Sequence, residues 1–225
     1  MHSHSDTEGP SRARAGLASF ALLSWPATAR CARDTLTMGA GDNVALCSRT
    51  DEAVRVTVKE LRGRYGKERV TGASCNVCKA ADVQALVERT QADLGDIDIW
   101  INNAGSNAYS FKPLIESSES DLMDIVDTNV LGVMICCQAA IKAMRKQERG
   151  GHIFNMDGAG ADGKPTPRFA AYGATKRALS QLGKSLQVRA SGPYMERCIS
   201  ILVTFTWHAA FTRCSTTCVG SWWPI

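Results

Sequence analysis

The feature that most constrains this chain is a repeated alternation of short apolar runs with segments of helical periodicity between residues 41 and 190. Apolar runs begin at Asn43, Val70, Ile97 and His152. The segments between them carry apolar residues at spacings of three and four, which is typical of helices with one buried face. Strands joined by helical crossovers run parallel in a sheet that is covered on both faces. The sequence therefore predicts an α/β fold with a doubly wound parallel sheet.

Composition divides the chain into three parts. Residues 1–40 are rich in Ser, Ala and Arg, and they are interpreted as a leader that is either transit-peptide-like or disordered. Residues 41–190 form the predicted core. Residues 191–225 contain no lysine and several tryptophans, and they are interpreted as a divergent tail.

Several classes of protein are disfavoured by composition. The chain is 44% apolar and 21% charged, which is typical of an ordinary globular protein. A net charge of +4 does not by itself indicate nucleic-acid binding. Because no apolar run reaches the length of about 20 residues that spans a bilayer, we expect at most peripheral membrane association. The nine cysteines are scattered and predict packed, reduced thiols, and only Cys75 and Cys78 have a CxxC spacing, so no metal site is predicted.

The motif most specific to chemistry is the Tyr172-Gly-Ala-Thr-Lys176 run on a predicted helix of about residues 170–189. A tyrosine and a lysine four residues apart share one face of a helix. An ammonium near a phenol favours the phenolate and lowers its pKa from the usual value of about 10. Such a tyrosine can exchange a proton with a carbonyl oxygen near neutral pH. Taken alone, however, most such pairs are surface pairs.

Two other polar features accompany this pair. Asn129 lies on the apolar stripe of a predicted long helix, where a buried amide must find hydrogen-bond partners. It is either satisfied by a core carbonyl or holds a water or backbone group beside a site. The Asn102-Asn103-Ala104-Gly105 run closes a predicted strand. Open α/β sheets bind ligands at that end of their strands; the alternative is a simple turn.

In this order, the NNAG run, Asn129 and the YxxxK pair resemble the short-chain dehydrogenase/reductase family. Residues 100–114 and 150–177 are similar to its branch of plant and algal chlorophyll(ide) b reductases. The resemblance covers about residues 41–190. It implies a Rossmann-like fold and NADPH-dependent reduction of the 7-formyl group of chlorophyll(ide) b to 7-hydroxymethyl. It also implies a chloroplast location, with thylakoid association as one alternative, and a homo-oligomer or a hetero-oligomer with a related reductase.

The resemblance also implies roles for single residues. Tyr172 would protonate the developing alkoxide, Lys176 would hold the nicotinamide ribose and lower the pKa of Tyr172, and Asn129 would anchor a proton-relay water. Arg49 follows the strand that meets the adenosine ribose, where an arginine suits the 2′-phosphate of NADPH; the alternative is a solvated loop charge. The residues expected to border the cofactor are Ser48, Arg49, Asn76, Val77, Asn103, Ala104 and Gly105.

Two departures from the family pattern limit these expectations. Residues 17–23 could serve as the first strand, but residues 24–30, which follow, contain no glycine. Cβ atoms there block the close approach of backbone N–H groups to a pyrophosphate. We therefore expect weak NADPH binding and a fold that is incomplete at its first strand and Gly-rich loop, and at its C-terminus. Asp157 and Gly158 stand where the family has a catalytic serine, so Asp157 is a candidate for contact with the substrate.

Two other functions remain open from the sequence. The chain could be a catalytically impaired relative that pairs with an intact reductase through the helices of Asn129 and Tyr172. It could also reduce a different carbonyl compound.

Overall fold

The computed structural model describes residues 19–23, 42–108, 111–189 and 199–203. The strands within these ranges form one parallel sheet. Its six strands are β1 (Ser19–Leu23), β2 (Asn43–Ser48), β3 (Val70–Ser74), β4 (Ile99–Asn102), β5 (Gly151–Asn155) and β6 (Ile199–Val203). Their order across the sheet is β3-β2-β1-β4-β5-β6. The predicted doubly wound α/β sheet is confirmed.

The first strand, β1, lies at the centre of the sheet. Ala21 is paired with Ala45 of β2 on one side and with Trp100 of β4 on the other. The strand order reverses between β1 and β4, which makes this the switch point where such sheets bind ligands. Because β1 and β6 are part of it, the sheet extends beyond the predicted core of residues 41–190 at both ends. The glycine-free residues 24–30, most of the leader and most of the tail lie outside the described residues.

Helices connect the strands. They are α1 (Asp51–Tyr65), α2 (Ala80–Leu94), α3 (Glu119–Val126), α4 (Val133–Met144) and α5 (Ala170–Arg189), with 3₁₀ turns at Lys67–Arg69 and Leu114–Glu116. A π-helical turn, Asp127–Gly132, joins α3 to α4. Helix α3 begins with a capping box in which Ser118 Oγ accepts from the Asp121 N–H and the Asp121 carboxylate accepts from the Ser118 N–H.

The core lies on both faces of the sheet because strand side chains alternate between faces. Val44 and Leu46 pack with Val54 and Leu61 of α1 on one face. Residues of α2, α4 and α5 pack together on the other face, where Cys47 also points. The apolar spacing of the sequence predicts five core positions on α2; four of them are buried and the fifth, Leu94, is half-buried. The four buried residues are Val83, Leu86, Val87 and Thr90.

The predicted stripe of the long helix is wrong at one position. The apolar spacing of the sequence predicts core positions for both Ile125 and Val126. Ile125 is 5% exposed, but Val126 is 47% exposed. A π turn inserts an extra residue into the helical repeat. The residues before Asn129 are therefore shifted by one position relative to a continuous α-helical pattern.

The segment Glu119–Met144 is long and apolar enough to cross a membrane by length and composition, contrary to the expectation from the sequence. Half of its apolar window is buried inside the protein. Cys136, Ala140 and Met144 are at most 1% exposed. Packing against the sheet therefore accounts for the apolar face of this helix.

Candidate active site

Two loops, the π turn and helix α5 bring the predicted catalytic residues together at the carboxyl ends of β4 and β5. Lys176, on α5, donates a hydrogen bond from Nζ to the carbonyl oxygen of Met156 at 3.0 Å. The same Nζ lies 5.5 Å from the centroid of the Tyr172 ring. A Cβ placed on Gly105 would lie 3.5 Å from Asn129 Oδ1 and 3.7 Å from Lys176 Nζ. The sequence motifs on β4, on the π turn and on α5 thus meet in one site.

The hydroxyl of Tyr172 is positioned against the backbone of the loop that follows β5. A Cβ on Gly158 would overlap the Tyr172 hydroxyl, so only glycine allows this approach. Further along the loop, Gly160 has a φ of +91°, and a Cβ there would lie 2.6 Å from the Cα of Gly173 on α5. Gly158 and Gly160 therefore let the loop after β5 pack closely on α5.

Burial dominates the titration of the pair. It raises the pKa of Tyr172 to about 12, and the charge of Asp157 adds to that rise. Burial lowers the pKa of Lys176 to about 8, and Asp157 partly opposes this shift. The expectation of a lowered Tyr172 pKa is therefore wrong for this structure, because burial of the phenol dominates. The phenol of Tyr172 accordingly carries its proton at neutral pH.

Asn129 connects two parts of the site. Its side chain is fully buried. The Oδ1 atom accepts a hydrogen bond from the Ser106 N–H at 2.7 Å. The Nδ2 atom donates to the Ser106 carbonyl at 2.8 Å and to Thr175 Oγ1 at 3.0 Å. The amide therefore ties the loop after β4 to α5, and these contacts occupy both of its polar ends. Asn129 lies in the π turn, a feature that often occurs at functional sites. The sequence did not identify Ser106 or Thr175, although both lie directly beside the motifs.

Asp157 follows β5 between Met156 and Gly158. Its Oδ1 accepts a hydrogen bond of 2.6 Å from the Gly158 N–H. The carboxylate is half-buried and close enough to Tyr172 and Lys176 to affect the pKa of both groups. It is thus held at the position where the family pattern led us to expect a serine.

A second group of predicted residues lines a cavity at the ends of β2, β3 and β4. The lining residues are Cys47, Arg49, Cys75, Asn76, Val77, Cys78, Ala104, Asp124, Asp127 and Thr128. Arg49, Asn76, Val77 and Ala104 belong to the predicted cofactor set. Asn103 is half-buried at the end of β4 but is not part of this lining.

Ser48 lies next to this cavity and tests whether the site fits a cofactor. It is 6% exposed, and its Oγ has no hydrogen-bond partner among the described residues. A buried hydroxyl without a partner is unfavourable, so a polar ligand group there would satisfy it. Together with the guanidinium of Arg49 at the rim, this arrangement fits the adenosine end of a dinucleotide.

A buried polar network that the sequence did not reveal supports the floor of the site. The indole N–H of Trp100 donates to Asn102 Oδ1 at 2.8 Å, and Asn102 Nδ2 donates to Asn155 Oδ1 at 2.7 Å. The network joins the carboxyl ends of β4 and β5. The only sequence signal for it is the presence of asparagines at the ends of two apolar strands.

Comparison with known proteins decides the family. The family profile described as short chain dehydrogenase matches residues 30–195. The chain belongs to the short-chain dehydrogenase family. This short-chain dehydrogenase is also similar to the solved structure of a short chain dehydrogenase/reductase from Burkholderia phymatum in complex with NAD. The two structures superpose with a TM-score of 0.69 at 23% sequence identity, and the match covers 83% of this chain and 64% of that one. That likeness supports the Rossmann-like fold.

Two curated relatives are much more similar in sequence. The chain is 59% identical over 148 residues to the chlorophyll(ide) b reductase NOL, chloroplastic, of Oryza sativa subsp. japonica, which covers 66% of this chain and 43% of the relative. It is 60% identical over 148 residues to the protein of the same name from Arabidopsis thaliana, covering 66% and 42%. This short-chain dehydrogenase thus spans less than half the length of these relatives. The resemblance to the chlorophyll(ide) b reductase branch is confirmed, and the relatives' chloroplast location agrees with the predicted one.

Proposed function

We propose that this short-chain dehydrogenase reduces the 7-formyl group of chlorophyll(ide) b to 7-hydroxymethyl with NADPH, in the chloroplast and in peripheral association with the thylakoid. The observation that carries the proposal is the buried, protonated Tyr172 beside Lys176, at the switch-point edge of the sheet. The 59% and 60% identity to two chlorophyll(ide) b reductases supports the choice of substrate.

The reaction requires a hydride at the formyl carbon and a proton at the formyl oxygen. Bound NADPH would supply the hydride. Tyr172 donates its hydroxyl proton to the formyl oxygen as negative charge develops there. The ammonium of Lys176, 5.5 Å from the ring centroid, stabilises the tyrosinate that remains. The side chain of Asn129 holds the loop after β4 and helix α5 in a fixed relative position, so Asn129 acts as a positioning residue.

Asp157 favours the direction of reduction in this proposal. Its negative charge raises the pKa of Tyr172, so the phenol keeps its proton until an alkoxide forms next to it. The carboxylate is close to Tyr172, and in this proposal the substrate approaches on that side. There it takes the place of the serine hydroxyl of the family pattern without making the same contact.

In this proposal the residues at the ends of β2, β3 and β4 would hold the cofactor. Ser48, Asn76, Val77 and Ala104 bind the adenosine half, and Asn103 and Gly105 border the nicotinamide half. Arg49 pairs with the 2′-phosphate and thereby selects NADPH over NADH.

Turnover of chlorophyllide b by the purified chain tests the proposed function, followed as the change in pigment absorbance with NADPH present. Tyr172→Phe should lower kcat by about 10²-fold or more, because the general acid is lost. Tyr65→Phe, which changes a half-buried tyrosine on α1, is the matched control and should leave kcat unchanged. Turnover by Tyr172→Phe at the wild-type rate would contradict the proposal.

Cofactor choice is tested separately. Arg49→Gln should raise KM for NADPH by about tenfold and leave KM for NADH nearly unchanged, because the residue contacts only the 2′-phosphate. Equal effects on both cofactors would remove Arg49 from that role.

One observation favours the second candidate, a catalytically impaired partner of an intact reductase. Four apolar side chains of the helical segment 119–144 are 45–57% exposed in the described part of the chain, namely Met123, Val126, Leu131 and Met134. They give that helix an exposed apolar surface. Failure of the chain to bind NADPH, combined with formation of a hetero-oligomer with a full-length relative, would favour this candidate over the enzyme.

A further inference from the structure

We propose that an exposed surface beside Tyr172, formed by Phe111, Arg168 and Phe169 and called here the aromatic edge, binds the flat macrocycle of a tetrapyrrole that carries a free carboxylate. The inference rests on the proposed function and adds two things to it. It says where the pigment lies, and it says which form of the pigment binds better.

Three aromatic rings lead from the surface to the reacting hydroxyl. The rings of Phe111 and Phe169 are 4.4 Å apart between centroids, with an interplanar angle of 64°. The rings of Phe169 and Tyr172 are 6.4 Å apart, at 60°. Because the aldehyde sits at the periphery of its macrocycle, the rest of the pigment has to extend out of the site over a neighbouring surface. The aromatic edge is such a surface and is continuous with Tyr172.

The edge is exposed and yet held in place. Phe111 is 56% exposed in the described part of the chain, so part of its ring remains accessible beside the contacts with Phe169 and Arg168. Its neighbour Lys112 pairs with Asp121 at 2.8 Å, which fixes this segment to the first turn of α3. On the other side, the carbonyl of Phe169 accepts from the Gly173 N–H at 2.7 Å. Ring surfaces that are already ordered lose little entropy when a flat ligand stacks on them.

Arg168 supplies the charge that selects the form of the pigment. Its guanidinium carbon lies 5.2 Å from the centroid of the Phe111 ring. Within the described part of the chain, Arg168 is exposed and pairs with no carboxylate. A macrocycle stacked on Phe111 would bring its carboxylate side chain within reach of this guanidinium. A pigment in which that carboxylate is esterified would lose the ion pair.

Direct binding tests the inference without requiring turnover. Chlorophyllide b and its methyl ester are titrated with the purified chain, and Kd is measured from the change in pigment fluorescence. Phe111→Ala should weaken binding of both pigments by about tenfold, because both stack on the ring. Arg168→Gln should weaken binding of chlorophyllide b several-fold and leave the ester unchanged. Ile115→Ala is the control; Ile115 is 93% exposed on the same segment and outside the edge, so its loss should change neither Kd.

The outcomes separate this inference from the proposed function. Unchanged binding by Phe111→Ala, with the fold verified by circular dichroism, would overturn the aromatic edge even if the wild-type chain reduces the pigment. Equal loss of both pigments in Arg168→Gln would overturn the selection for a free carboxylate. Loss of binding in Ile115→Ala as well would indicate a general apolar docking surface in place of a pigment site. Tight binding at the edge without any turnover would leave the edge in place and reject the proposed reaction.

Discussion

The ammonium of Lys176 lies 5.5 Å from the centroid of the Tyr172 ring and donates a hydrogen bond of 3.0 Å to the carbonyl oxygen of Met156. Lys176 is only 5% exposed, and burial lowers its pKa to about 8 from the ordinary value of 10.5. Keeping a charge in such a place opposes folding. Lys176 is therefore expected to lower the free energy of unfolding, and we infer that its role in the site explains its presence there.

Replacement of this lysine by an apolar residue should stabilise the fold. In the wild type the unfolded chain binds more protons than the folded chain between pH 8 and 10.5. The free energy of unfolding should therefore rise with pH across that window. Below it the folded state bears the full cost of the buried charge, so Lys176→Met should raise the free energy of unfolding at neutral pH by about 1–3 kcal/mol.

Urea unfolding at about pH 7 and about pH 9 checks this expectation. Lys176→Met should remove the rise with pH as well as the turnover. Lys184→Met, at an exposed position of the same helix, is the matched control and should change neither. A less stable Lys176→Met protein would mean that the hydrogen bond to Met156 outweighs the cost of burial.

Asp157 should set the alkaline limit of reduction. Its charge raises the pKa of Tyr172, so Asp157→Asn should lower that pKa. The Lys176 ammonium, whose pKa Asp157 also raises, and the phenol then lose their protons at a lower pH, so the alkaline limb of the kcat/KM profile for reduction should move to lower pH. Asp162→Asn changes an exposed carboxylate of the same loop and should leave the profile in place. The idea fails if both variants give the wild-type profile.

The positions in the site were predictable from the sequence because they follow from spacing. Tyr172 and Lys176 are one helical turn apart, and Asn129 lies on the core face of its helix, so the fold brings them together without detailed packing information. The direction of the pKa shift of Tyr172 was not predictable. It depends on how deeply the phenol is buried and where the ammonium points, and neither property follows from spacing along a helix.

In the fold, too, some features were predictable from the sequence and others were not. Alternating strands and helices predict the parallel sheet, because crossovers leave few other arrangements. The error at Val126 arises from the π turn, since no periodic pattern indicates where an extra residue enters a helix. The partners of Asn129 could not be predicted for a related reason. Ser106 lies in the loop after β4 and Thr175 lies on α5. Hydrophobic periodicity encodes neither the path of that loop nor the docking of α5 against the π turn.

Asn129 should contribute strongly to stability. Asn129→Ala would remove the side-chain partners of the buried Ser106 N–H and carbonyl groups, whereas Thr175 Oγ1 keeps its hydrogen bond to the Tyr172 carbonyl. Buried polar groups without partners are costly, so the free energy of unfolding should fall by about 2–4 kcal/mol. Gln138→Ala, at an exposed position on α4, should change it by less than about 0.5 kcal/mol. Urea denaturation followed by circular dichroism measures both, and equal stabilities would contradict the contacts assigned to Asn129.

The position of the Tyr172 hydroxyl can be tested by adding a single methyl group. Gly158→Ala would place a Cβ on that hydroxyl, so the ring must move away from the substrate. Because catalysis depends steeply on the placement of the general acid, we expect kcat to fall by about tenfold or more while the protein stays folded.

Gly63→Ala is the matched control for this substitution. A Cβ there meets nothing within 4 Å, and the residue lies on helix α1, where alanine is the better helix former. It should leave kcat unchanged and raise the free energy of unfolding by about 0.5–1 kcal/mol. If Gly158→Ala kept the wild-type kcat with its melting temperature unaltered, the hydroxyl would not lie against residue 158, and the arrangement of the general acid derived above would be wrong.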